Sequence, residues 1–195
     1  MPKIKTPRDD ILDEAEVVET LKNCYELEVR AAICVMWITG CRVGELVLLK
    51  FKDLKDKQKY VEINMPTLKQ RKIVLPRRTV LFPKNNLFYT IFKDYVNSIH
   101  PKFADRQLFE CSPHHIWFMM KKANPNIYPH LFRHSRATIL SNDVDIFDLK
   151  YAFGWASMDM PQRYVHRKNS PERIYRAISG DTEKLDTRDI SEISE

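Results

Sequence analysis

Thr39-Gly40-Cys41-Arg42-Val43-Gly44-Glu45-Leu46 separates two helices, and the rest of the chain is read outward from it. Upstream, Glu26 to Thr39 is almost continuously apolar after Arg30, the pattern of a helix buried on all sides, and Gly40 is the residue that stops it. Downstream, a third helix begins near Arg42 and carries Leu46, Val47, Leu48 and Leu49 into the core. Further upstream, Asp9-Asp10 are expected to cap a first helix from about Ile11 to Asn23, with Ile11, Leu12, Ala15, Val18 and Leu21 on one face. Arg42 sits at a helix start, where the dipole gives a cation no help, so it needs an anionic partner. Glu45, three residues on, is in reach of it.

The texture then changes. Lys59-Tyr60-Val61-Glu62-Ile63-Asn64-Met65 alternates with a two-residue period, a turn follows over Pro66 to Gln70, and Arg71-Lys72-Ile73-Val74-Leu75 alternates less cleanly before Pro76. A hairpin is expected here, with a third short strand through Thr79 to Phe82. Pro83-Lys84-Asn85-Asn86 ends it and starts a helix from Leu87 to Ile99, which Pro101 closes. Short helices follow near 113 to 123, 129 to 142, 145 to 153 and 159 to 166, and Ser170-Pro171-Glu172 opens another. The fold class is therefore mainly α (α+β): helices around one small antiparallel three-stranded sheet.

A chain of 195 residues is long enough for one domain with a full core. Its four glycines include no phosphate-cradling loop of the Walker or dinucleotide type. No run approaches the roughly 18 apolar residues of a membrane span, and no apolar signal region follows the initial charges, so a soluble protein that stays in the cytoplasm is expected. The cysteines (Cys24, Cys34, Cys41, Cys111) form no C-x-x-C pair, and Cys111-x-x-His114-His115 lacks a second pair at ligand spacing, so neither a disulfide framework nor a metal site is expected. The net charge of +6 hides an asymmetry. Residues 179 to 195 hold six acids against Lys184 and Arg188, leaving that tail at −4 and the body before it at +10. A body of that sign attracts a polyanion such as DNA, and the acidic end reads as a solvated tail.

The residues able to do chemistry lie in the second half. In Tyr128-Pro129-His130-Leu131-Phe132-Arg133-His134, His130 and Arg133 share one face at a helix start and can address one phosphate. A guanidinium offers a planar fork to two phosphate oxygens, and an imidazole exchanges a proton near neutral pH. Phe153-Gly154-Trp155 is followed nine residues after the indole by Tyr164, whose phenol, weak as a nucleophile at a pKa of about 10, needs neighbouring positive charge.

From residue 39 to 166, the order Thr-Gly-Cys-Arg-Val-Gly-Glu-Leu, a lysine on a hairpin turn, His-x-x-Arg-His, Gly-Trp and then Tyr resembles the catalytic domain of the tyrosine recombinases, the phage-integrase family. The resemblance implies Arg42 as the first catalytic arginine with Glu45 supporting it, His130 and Arg133 as the histidine and second arginine, and Tyr164 as the nucleophile. Trp155 takes a position that is histidine in much of the family; its indole can donate one hydrogen bond but cannot shuttle a proton. The family's catalytic lysine stands in the turn between two strands. Lys69, Arg71 and Lys72 compete for that place, with Lys69 chosen as nearest the apex and Arg71, Lys72 and His134 taken as DNA contacts.

What the resemblance implies is attack on a scissile phosphate of double-stranded DNA, leaving a 3′-phosphotyrosine and a 5′-hydroxyl, with no metal, cofactor or ATP, in the service of site-specific recombination. It also implies residues 1–180 as the catalytic domain, 181–195 as the acidic tail, and an oligomer on DNA, a tetramer, docked through a C-terminal helix bearing Ile174, Tyr175, Ala177 and Ile178. Only 41 residues precede Arg42, so the N-terminal core-binding domain usual in the family is expected to be absent. The rival readings are a topoisomerase-like strand-cleaving enzyme and a catalytically silent DNA-binding module of the same fold.

Overall fold

A computed structural model describes residues 11–68, 76–99 and 104–164. Along these the chain forms α1 (Glu14–Asn23), α2 (Leu27–Thr39), α3 (Val43–Leu46), a 3-10 turn (Phe51–Asp53), β1 (Leu54–Asp56), β2 (Tyr60–Pro66), β3 (Arg77–Pro83), α4 (Leu87–Ser98), α5 (Pro113–Ala123), α6 (Pro129–Leu140), α7 (Ile146–Phe153) and α8 (Asp159–Gln162). The expected class stands: helices around one antiparallel sheet of order β1-β2-β3.

Most helix starts follow from local capping chemistry. Asn86, Ser112 and Asp145 each accept a backbone N–H of the following turn, and Pro113 and Pro129 occupy first-turn positions where no amide hydrogen is needed. The first helix differs from expectation. It is capped by Asp13, which exchanges hydrogen bonds with Glu16, so Ile11 to Asp13 lead into the helix and do not belong to it. Asp9 and Asp10 lie outside the described residues.

α2 is the hub. It packs against α4, α5, α6 and β3, and nearly every residue from Val29 to Trp37 is buried. Trp37 meets Phe132 of α6 edge to face at 6.3 Å, tying the hub to the helix that carries His130 and Arg133. α2 stops at Gly40, whose φ of 62° is left-handed and whose added Cβ would stand 2.5 Å from a Phe153 ring carbon. Both conditions demand glycine. The next helix is shorter than expected: α3 is a single turn, with Leu46 and Leu49 buried but Val47 only half-buried and Leu48 exposed.

The sheet corrects the expected strand pairing. β2 is where the alternation places it, but its partner is β3, in register from Tyr60↔Pro83 to Pro66↔Arg77. The expected strand over 71–75 lies outside the described residues. The third strand is the unanticipated β1, which pairs with β2 on its other edge from Leu54↔Ile63 to Asp56↔Val61.

The interior has two parts. A large cluster spans α1, α2, α4, α5, the sheet and the first half of α6. A small one gathers Ala137, Leu149, Phe153 and Trp155, with Met160 and Tyr164 packed against it. Helix α6 contributes to both. Among the described residues no helix is long and apolar enough to cross a membrane.

Candidate active site

Glu45 is the site's anchor. Fully buried, its carboxylate accepts four hydrogen bonds: from the Arg42 amide (3.1 Å), the Arg42 guanidinium (2.6 Å), the Leu68 amide (3.2 Å) and the Arg78 guanidinium (2.9 Å). Burial alone would raise its pKa, but Arg78, the Arg42 amide and the Arg42 guanidinium outweigh that and hold the carboxyl below its usual range. The expected pairing of Glu45 with Arg42 is present, and it fixes the aim of the arginine. Residue reading missed Arg78. Its guanidinium, also buried, bonds Glu45, the Pro66 carbonyl, the Thr67 hydroxyl and the Ala152 carbonyl, joining α3, the end of β2 and α7. A signal was there: Arg78 shares the strand phase of Val80 and Phe82, the inward-facing side of β3.

Arg133 is buried as well. It donates to the Gly40 carbonyl (2.9 Å) and the Phe153 carbonyl (2.6 Å), the closing residues of α2 and α7, where helix dipoles present negative charge. Its guanidinium lies over the rings of Phe153 and Trp155, at 4.9 and 5.4 Å from their centroids. Burial, and then the nearby Arg42, pull its pKa down to about 9, so the group stays cationic at neutral pH. Two of its five N–H donors serve the carbonyls; the other three are not engaged by these bonds.

Trp155 follows Gly154, which ends α7 at a φ of 60° and packs against Thr67 too closely for any side chain. The indole stacks with two rings. Phe153 lies at 4.9 Å and Tyr164 at 5.4 Å, the latter nearly parallel at 10°. Its Nε1 is buried with no hydrogen-bond partner among the described residues. Leaving such a donor unmet costs about 1–3 kcal/mol, which a bound acceptor would recover.

The Tyr164 phenol is half-buried, and its oxygen lies 3.4 Å from Nδ1 of His134. Burial raises its pKa, while Arg133 and Arg163 work in the opposite direction. His130 is exposed at the start of α6 and faces a cleft of about 580 Å³ shared with Arg42, Arg133, Trp117, Lys121 and Tyr128. A second cleft of about 200 Å³ is lined by Arg42, Gly154, Trp155 and Met160. Arg42 and Leu68 border both.

The structure therefore brings Arg42, Glu45, His130, Arg133, Trp155 and Tyr164 into one neighbourhood. His134 turns toward the phenol. Lys69, Arg71 and Lys72 lie outside the described residues, one to four positions beyond Leu68. Chemically, the neighbourhood offers cations and an indole N–H to an oxyanion, with a phenol beside them.

The profile of the phage integrase family matches residues 10–170. This chain belongs to the phage integrase family. Its relatives in that family include the tyrosine recombinases XerA of Pyrococcus furiosus, 29% identical over 194 residues, and of Pyrococcus horikoshii, 26% identical over 183 residues. Each match covers 90% of this chain and 64% of the relative, so the chain spans under two thirds of their length. Among solved structures, the catalytic domain of bacteriophage HP1 integrase superposes with a TM-score of 0.57 at 22% identity, over 87% of this chain and 93% of that one. XerH recombinase bound to its difH substrate gives 0.63 at 20% identity, over 87% and 54%. This chain thus shares the fold of these integrase and recombinase structures.

Proposed function

We propose that this protein is a site-specific DNA recombinase whose Tyr164 attacks a scissile phosphate in duplex DNA. One observation carries the reading: two guanidiniums, Arg42 and Arg133, adjoin an indole whose buried N–H has no partner among the described residues, and that indole is stacked on the phenol. A phosphate seated there meets the unmet donor of Trp155 and the unspent donors of Arg133. As the phenol oxygen bonds to phosphorus, negative charge grows on the non-bridging oxygens, and donors fixed in advance stabilise that charge without reorganising. The 5′-oxygen departs and a 3′-phosphotyrosine remains, which keeps the phosphodiester energy for rejoining.

Glu45 holds Arg42 in aim and is itself held by Arg78. His130, at the mouth of the cleft and near the positive end of α6, is assigned to hydrogen bonding and proton exchange at the phosphate. Lys69 is assigned as the acid for the leaving oxygen, which is supported by the position of its neighbour Leu68 on the border of both clefts. The assigned domain is residues 1–180, followed by the acidic tail. The XerH and λ integrase structures similar to this chain hold DNA, and duplex DNA is the substrate proposed here, bound by an oligomer of the chain.

The test is covalent capture. A pool of nicked suicide duplexes with randomised sequence around the nick is incubated with the protein, and denaturant-resistant adducts are recovered and sequenced. Wild-type protein is expected to yield adducts and Tyr164→Phe none. A folded wild-type protein that binds the duplexes yet forms no adduct overturns the reading.

A further inference from the structure

The residue after Arg133 points elsewhere. One step along α6 turns a side chain by about 100°, so while Arg133 reaches back to the ends of α2 and α7, His134 leaves the helix toward Tyr164. Its Nδ1 stands 3.4 Å from the phenol oxygen, and the two rings lie 5.4 Å apart at 47°. The ring is half-buried, and the phenol also stacks on Trp155. Among the described residues, the charged groups acting on the phenol are Arg133 of α6 and Arg163 at the end of α8, both cations and so unable to accept its proton. Among the same residues, the imidazole brings a lone pair within reach of the phenol oxygen.

We propose that His134 is the base that takes the phenolic proton when Tyr164 attacks DNA, a role that rests on the recombinase reading above. The ring must be neutral and carry its own hydrogen on Nε2, which leaves the Nδ1 lone pair facing the phenol. As the Tyr164 oxygen bonds to phosphorus, its proton passes to Nδ1, and the bond from phosphorus to the 5′-oxygen breaks. That oxygen collects a separate proton from the acid on the leaving side. On rejoining, the incoming 5′-hydroxyl gives its proton back to the group on the leaving side as its oxygen attacks phosphorus, and the imidazolium returns its proton to the departing phenolate. Base and acid are then different residues on opposite sides of the phosphate. His134 thereby acquires a duty at the reacting atom, where a place among the DNA contacts had been expected.

The experiment uses the duplex recovered with wild-type protein by the covalent-capture selection, so that the recombinase reading has already been met before this one is judged. His134→Ala and His134→Gln are compared with wild type in single-turnover cleavage, in duplex affinity, and on the same duplex with sulfur replacing the bridging 5′-oxygen. Sulfur leaves without needing a proton. A proton acceptor of this kind contributes about 10²-fold or more. Both variants are expected to lose that factor in rate with affinity unchanged, and the sulfur substrate is expected not to restore them. Glutamine retains a hydrogen-bonding group but no basic nitrogen, and it serves also if the alanine variant fails to fold. A wild-type rate in His134→Gln, restoration by sulfur, or a loss confined to affinity would each overturn the assignment.

Discussion

Glu45 shows how a buried charge holds the candidate site in shape. Replacing it with alanine leaves Arg78 buried and uncompensated, and breaking such a pair costs about 3–5 kcal/mol. Glu45→Ala is therefore expected to lower the midpoint of denaturant unfolding markedly, measured by circular dichroism. The pH dependence has a definite sign. A carboxyl whose folded pKa lies below its unfolded value contributes stability that is present above the ordinary carboxylate pKa of about 4.3, and that stability fades as pH falls through the lower folded value. The gap in stability between wild type and Glu45→Gln is expected to be largest near neutral pH and to narrow below about pH 4. Arg42 and Glu45 were legible in the sequence because three-residue spacing on a helix is local. Arg78 was not, since its partners lie 33, 12, 11 and 74 residues away and only the fold assembles them.

Elements differ in how much of themselves the sequence discloses. Capped helices do so well: Pro113–Ala123 begins and ends where its serine, proline and periodic face place it, because a cap is a bond between a side chain and the next turn. Strands do so poorly. β1 is three residues long and two of them are charged, so no alternation announces it, and the partner of β2 is chosen by a ladder whose far strand cannot be inferred from local pattern. The junction of α2 with α7 gives an element-scale prediction. Gly40→Ala must adopt a left-handed φ and push against the Phe153 ring, and the Gly40 carbonyl is one of the two that hold Arg133. The variant is expected to lose more than about 1 kcal/mol of stability. Its covalent adduct yield is expected to fall further than the stability loss accounts for, checked at a temperature where the variant remains folded.

At the scale of the whole molecule, charge and core organisation carry different messages. The body at +10 and the tail at −4 were both read from composition, and they predict behaviour on DNA independently of any site. Duplex affinity is expected to fall steeply with salt, the logarithm of the binding constant dropping with a slope of about 0.9 per phosphate neutralised, as measured by fluorescence anisotropy between 50 and 200 mM (about the range over which such losses are large). Removing residues 181–195 is expected to raise affinity for duplex of any sequence at low salt, and to make little difference where screening is strong. The division of the interior was not legible. Trp155 and Tyr164 are ordinary aromatic residues in the sequence, and nothing local assigns them to a small cluster apart from the main one.

That small cluster sets how firmly the proposed nucleophile is kept ready. Tyr164 rests against Trp155 through one parallel ring contact at its edge and is no part of the large interior. A stacked aromatic pair is worth about 0.5–1.5 kcal/mol beyond its area, so lifting the phenol away changes its occupancy between about twofold and tenfold while the hub around α2 is untouched. Readiness to cut is then a graded quantity. A strain on the phenol with the energy of a single hydrogen bond would be enough to silence or arm the proposed chemistry without unfolding anything.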